Sequence, residues 1–159
     1  MKKLLGLCAI ILAIGLAGCK ATLKDPAAQA QLEKAVNPGE IPYVVAHNYF
    51  VNNDVDSVPH QPLTTAGEFD VFFGKAPVMG KDGAPTKIDF KKEYVIAVAE
   101  PTTEFATTIE PVSLVRNEAG QIVFTYKVTK GEQRSFSITP CLILVVSNDY
   151  PGQVIYNQI

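Results

Sequence analysis

Histidine is scarce in this chain, with two among 159 residues. That is too few for a histidine-built metal cluster. Charge is also sparse: 14 basic and 16 acidic residues give a formal net charge of −2. Without a long basic run, a strongly electrostatic nucleic-acid binder is excluded. Low charge is matched by 47% hydrophobic residues, outside the range of intrinsically disordered chains. The length fits one domain.

Catalytic motifs are missing as well. No Gly-x-Ser-x-Gly occurs. His47 lies in a strand-like run and His60 between prolines, neither in a triad-like setting. The stretch Gly74–Lys81 imitates a phosphate loop but spaces its glycines wrongly. Asp82 stands where Ser or Thr would hold magnesium. Asn52, Asp54 and Asp56 have calcium-loop spacing, yet Ser57 and Leu63 replace the required Gly and Glu. No pair of carboxylates stands out for glycoside chemistry. The expectation is a protein without catalytic residues, metal or cofactor, apart from the lipid argued next.

The N-terminus is an address. Lys2 and Lys3 precede an apolar run over residues 4–17. That run is shorter than the ~20 residues of a permanent membrane span, and reads as a secretory signal. It ends in Leu16-Ala17-Gly18-Cys19, which resembles the bacterial lipoprotein lipobox. Small Ala17 and Gly18 let a peptidase reach the bond. The Cys19 thiolate is a nucleophile able to take a diacylglycerol as a thioether. The resemblance implies cleavage after Gly18 and a covalent lipid on Cys19. Two or three acyl chains hold a protein at a bilayer where one is marginal. Loss of Lys2 and Lys3 leaves an acidic chain, so the lipid must do the holding. Lys20, in place of a retaining Asp, points to the outer membrane of a bacterial envelope. The absence of an acidic cluster after Cys19 points to its periplasmic face.

Cys8 leaves with the signal and Cys19 carries lipid, so Cys141 remains alone and no intramolecular disulfide can form. It sits in a very apolar run and is expected to be buried and inert.

Residues 1–18 are thus a signal peptide, 19–40 a lipid-anchored linker, and 41–159 one globular domain. Within the linker, Asp25-Pro26 could open a short helix that Asn37-Pro38-Gly39 would end. In the domain, Tyr43–Val51 is β-branched and aromatic, and reads as a strand. Thr65-Ala66-Gly67-Glu68 is a capping box. Phe69, Phe72 and Phe73 follow at helical spacing, with Gly74 as a plausible C-terminal cap, predicting one short helix. Tyr94–Ala99 and Cys141–Val146 are continuous apolar runs and suggest strands buried on both faces. Residues 107–116 form another strand, with Pro111 at an edge or bulge. Gln121–Thr129 alternates as a half-buried strand. Lys130-Gly131-Glu132-Gln133 reads as a turn before a short strand, Ser135–Ile138. Asn148–Gly152 turns again before a last strand at Val154–Tyr156. The fold class is β-rich α+β: an antiparallel sheet or small sandwich of about six to seven strands, with one helix packed on it.

The link Glu100–Phe105 is polar and ends in an aromatic residue. Pro101, Thr102, Thr103 and Phe105 are candidate partner contacts on a rigid sheet. The competing expectation is a plain connection with Phe105 tucked into the core.

Residues 94–147 resemble the C-terminal module of the protease-complex-subunit PrcB type. The apolar strand Tyr94–Ala99 and the element Ile138-Thr139-Pro140-Cys141-Leu142-Ile143 carry the likeness. Thr103-Glu104-Phe105 occupies the place of that family's Gly-Gly turn, and Cys141 that of its aromatic residue. The resemblance implies a non-catalytic, protein-binding β module that assists a protease. Pro101–Phe105 is also similar to a loop of chagasin-type cysteine-protease inhibitors. The function expected first is therefore a membrane-anchored, protein-binding module. A protease inhibitor or protease-complex subunit acting through residues 101–105 comes next. A small-ligand or glycan-binding module comes third, and requires aromatics such as Tyr43, Tyr49 or Tyr150 in a concave pocket.

The Cys19→Ser variant is expected to lose acyl labelling and to leave the membrane fraction or remain unprocessed. Metabolic labelling with a fatty-acid analogue and fractionation check this.

Overall fold

The structure, a computed structural model, describes residues 39–159 except Lys81. The signal peptide, Cys19 and nearly all of the linker lie outside the described residues. Eight strands and one helix follow in chain order. They are β1 (Tyr43–Val45), β2 (Tyr49–Val51), α1 (Ala66–Phe72), β3 (Phe73–Lys75), β4 (Glu93–Ala99), β5 (Thr103–Arg116), β6 (Ile122–Ile138), β7 (Cys141–Ser147) and β8 (Val154–Gln158).

The two continuous apolar runs form β4 and β7, paired antiparallel from Glu93–Ser147 to Ala99–Cys141. With β1 on the other side of β7 they make a sheet of order β1-β7-β4. Strand side chains alternate between faces, so a run without polar residues needs apolar cover on both sides. It has it. Tyr94, Ile96, Val98, Leu142, Leu144 and Val146 pack on a second sheet through Leu114, Ile122, Phe124 and Tyr126. Val95, Ala97, Ile143 and Val145 face the opposite way, onto Val51, Val58, Leu63, Phe69 and Phe73. The domain is therefore a sandwich with a third layer. Sheet β5-β6-β8 lies on one face of the central sheet; α1, the β2-β3 pair and the loop before α1 lie on the other.

Helix α1 forms as its capping box dictates. The Thr65 side chain accepts from the Glu68 backbone N–H, and the Glu68 carboxylate accepts from the backbone N–H groups of Thr64 and Thr65. These bonds, chiefly those from Thr64, hold the Glu68 carboxyl below its ordinary pKa. Phe69 and Phe73 are buried, but Phe72 is only half-buried. The helix ends at Phe72 with Phe73 extended as its cap, so Gly74 is not the cap expected. It lies in β3 opposite Phe50, whose ring covers it and leaves no space for a Cβ.

Four further expectations are corrected. The run Tyr43–Val51 is not one strand. It breaks at Asn48, which has φ 63°, and its halves β1 and β2 join different sheets. Lys130–Gln133 is not a turn: it is part of β6, which β5 holds through Thr107 opposite Lys130 and Phe105 opposite Gln133. Three irregularities in that pairing absorb the unequal residue counts, and one of them, between Pro111 and Ser113, puts the proline at a bulge as foreseen. The link from residue 101 is already strand from Thr103. Finally, β8 pairs with β6 in parallel, not antiparallel. The chain leaves β7 and crosses to the other sheet through the turn at Asn148–Gly152, so it arrives pointing the same way as β6.

Phe69→Ala should cost about 3–5 kcal/mol of stability. Phe72→Ala should cost clearly less, and Thr65→Ala about 1 kcal/mol. Urea denaturation of the three variants gives the order.

Candidate functional site

The β5-β6 pair is longer than the core it covers. Strand β8 lines β6 only from Ile122 to Tyr126. Beyond that point, among the described residues, β6 has β5 on one edge and no strand on the other, and residues 129–137 are all exposed. The result is a two-stranded ribbon carrying unpaired backbone groups along a free edge. Register slips between Thr103 and Phe105 and between Phe105 and Thr107 loosen the ladder there. Gly131 allows the close approach: a Cβ at that position would come within 2.9 Å of the Ala106 carbonyl oxygen.

The candidate residues from the sequence lie at the root of this ribbon. Pro101 and Thr102 are exposed, and the Thr102 hydroxyl is 2.8 Å from that of Thr139. That contact ties the start of the ribbon to the segment entering β7. Thr103 opens β5 opposite Ile138, and its hydroxyl accepts from the Phe105 N–H at 3.2 Å. Phe105 keeps 41% of its surface in solvent, so it is not tucked into the core. Next to it, the Gln133 amide donates to the Glu104 carboxylate at 3.0 Å. Phe136, at 55% exposure, adds a second open aromatic ring on the same ribbon. Sequence reasoning missed Phe136. Its sequence signal is an aromatic residue flanked by Ser135 and Ser137, without an apolar neighbour.

A second feature lies on the far face of the molecule. A groove of about 770 Å³ is lined by Tyr49, Phe69 and Phe90, with Asp70, Lys75, Lys87, Asp89 and Glu93 also on its wall. Tyr49 and Phe69 meet edge to face at 5.1 Å, and Phe69 and Phe90 lie 5.8 Å apart. One wall is the irregular segment after β3, pinned through the strained residue. The Asn48 side-chain amide donates to the carbonyls of Asp82 and Ala84, at 2.9 and 3.1 Å. The Tyr49 hydroxyl donates to the Thr86 carbonyl at 2.7 Å, and the His47 N–H donates to the Thr86 hydroxyl at 2.9 Å. Burial, and then the Asp70 carboxylate, push the Tyr49 phenol above its ordinary pKa.

His47 is at the surface as expected, though outside the strands. The His60 ring stacks on Tyr156 at 4.6 Å, with the planes 13° apart. The Tyr156 hydroxyl is buried and without a partner among the described residues. Burial first, and then neighbouring Tyr94 and Tyr126, push its pKa up. Asn52 does not face a cation loop: its amide donates to the helix carbonyls of Asp70 and Val71 at 3.1 and 3.0 Å. Among the described residues, no group of three His, Cys, Asp or Glu side chains is arranged to hold a metal ion.

Cys141 is largely enclosed, and burial pushes its thiol up to about 11. At neutral pH it is protonated and a poor nucleophile.

Comparison with protein-family models, with curated proteins and with solved structures returns no match for this chain.

The folded thiol holds its proton more tightly than the unfolded one, whose ordinary value is 9.0. Its contribution to stability is therefore complete below pH 9 and is lost as pH rises toward 11. Relative to Cys141→Ala, the native chain should lose about 2–3 kcal/mol over that window. Urea titrations of both proteins at stepped pH measure the difference.

Proposed function

We propose that this protein is a bacterial envelope lipoprotein, held to the outer membrane by lipid on Cys19, whose domain binds another protein without catalysing a reaction. The observation that carries this reading is the open β5-β6 ribbon. Among the described residues no strand pairs with its outer edge, and it presents Phe105 and Phe136 to solvent. An exposed edge invites strand addition by a partner, with main-chain bonds supplying affinity and side-chain pockets supplying selectivity. Aromatic anchors flanked by polar residues are the usual composition of an interface centre. Here the flank is Glu104, Lys130, Glu132, Gln133 and Arg134.

The likeness of residues 94–147 to the PrcB-type module favours a protease, or a protein that works beside one, as the partner. The ribbon belongs to that segment. The acyl chains would confine the search for a partner to the membrane surface, which raises the effective concentration of anything anchored there.

A photo-crosslinking amino acid at Phe105 should give one discrete adduct in intact cells, and one at Glu118, in the turn at the other end of the β5-β6 pair, should give none. The Thr103→Ala, Phe105→Ala double variant should lose the adducted partner while melting at the native temperature. Equal crosslinking from both positions, or a partner that binds the double variant unchanged, would remove the ribbon from the reading.

A further inference from the structure

We infer that the groove between α1 and the segment after β3 is a binding site for a neutral oligosaccharide, separate from the ribbon. Its volume, about 770 Å³, falls in the range of small-molecule sites. The aromatic side of the wall is Tyr49, Phe69 and Phe90. Phe69 is buried beneath, while Tyr49 and Phe90 are half-buried and line the groove. An aromatic wall of this kind suits the C–H face of a pyranose, which is apolar although its edge is not.

The charged side narrows the ligand class. Asp70, Asp89 and Glu93 stand with Lys75 and Lys87 around one cavity. A strongly anionic ligand would meet three carboxylates, and a strongly cationic one would meet two ammonium groups. A sugar hydroxyl can donate to a carboxylate and accept from an ammonium at once. A neutral polyol therefore uses both signs of charge where an ion could use one. Two of the carboxylates are held in place. Glu93 Oε2 accepts from the Asp89 N–H at 2.8 Å, and Asp89 Oδ1 accepts from the Lys91 N–H at 3.1 Å.

The groove is also built in advance. Asn48 sits in the left-handed region and spends its side chain on the wall, bonding the Asp82 and Ala84 carbonyls. Strain of this kind persists where surrounding structure over-determines it. Here the surrounding bonds are those from the Tyr49 hydroxyl and the His47 N–H to Thr86, and from the Ala76 N–H to the Asn48 carbonyl at 2.8 Å. A wall fixed before binding lowers the ordering cost of a weakly held ligand.

The test is isothermal titration of the full chain in detergent with trisaccharides of the gluco, manno, galacto and N-acetylglucosamine series. Trilysine and inorganic phosphate serve as charged comparators. At least one trisaccharide should saturate with a Kd of millimolar or tighter. Phe90→Leu and Asp70→Asn should each weaken it tenfold or more at an unchanged melting temperature. Phe105→Ala, on the ribbon, should leave it alone. Asp70 is exposed, so its variant tests the site even where Phe90→Leu unfolds the layer. Failure of every saccharide to saturate, binding that survives Asp70→Asn, or saturation by a charged comparator alone would overturn the assignment.

Discussion

The structure depends on one constraint: β4 and β7 have no polar face. Each is a paired apolar strand with five consecutive buried residues, Tyr94–Val98 and Leu142–Val146. Once these strands join, apolar surface remains on both sides of the pair, and hydrophobic burial drives cover onto each. One cover is a sheet and the other is a mixed layer of helix, short strands and loop. The two candidate surfaces follow from this division. The sheet cover overshoots the core and becomes the ribbon. The mixed cover fills its layer unevenly and leaves the groove.

The centre of the fold was legible because its signal is local and strong. Two runs without a charged residue read as interior strands, and the capping box at Thr65–Glu68 reads as the opening of a helix. The edges were less legible. Lys130-Gly131-Glu132-Gln133 has the composition of a turn, and nothing local reveals that β5 lies opposite to carry the strand on. Tyr43–Val51 has the composition of one strand; its break depends on Asn48 adopting a left-handed backbone so that its amide can reach carbonyls 34 and 36 residues away. The parallel pairing of β8 is likewise decided by the crossover between sheets, which no period in the sequence records.

The candidate surfaces divide in the same way. Pro101–Phe105 could be singled out because a polar stretch between apolar strands is a local pattern. Phe136 left only a faint local mark, an aromatic between two serines, and its exposure follows from the ribbon running past the core. The groove needs Tyr49, Phe69, Phe90 and Glu93 together, drawn from β2, α1, the loop before β4 and β4 itself. Tyr49 is one of the aromatics a pocket requires, but no linear motif joins it to the others.

The placement of β7 has a consequence for how the molecule comes into being. The strand at the middle of the central sheet comes last but one among the described strands, and β1, the first of them, pairs with it through Tyr43–Val146 and Val45–Leu144. Contacts so remote along the chain make for high contact order and slow folding. They also mean that no partial product of synthesis can close the interior. Until residues around 146 are available, the central sheet lacks its middle strand, and neither covering layer has a finished surface on which to settle.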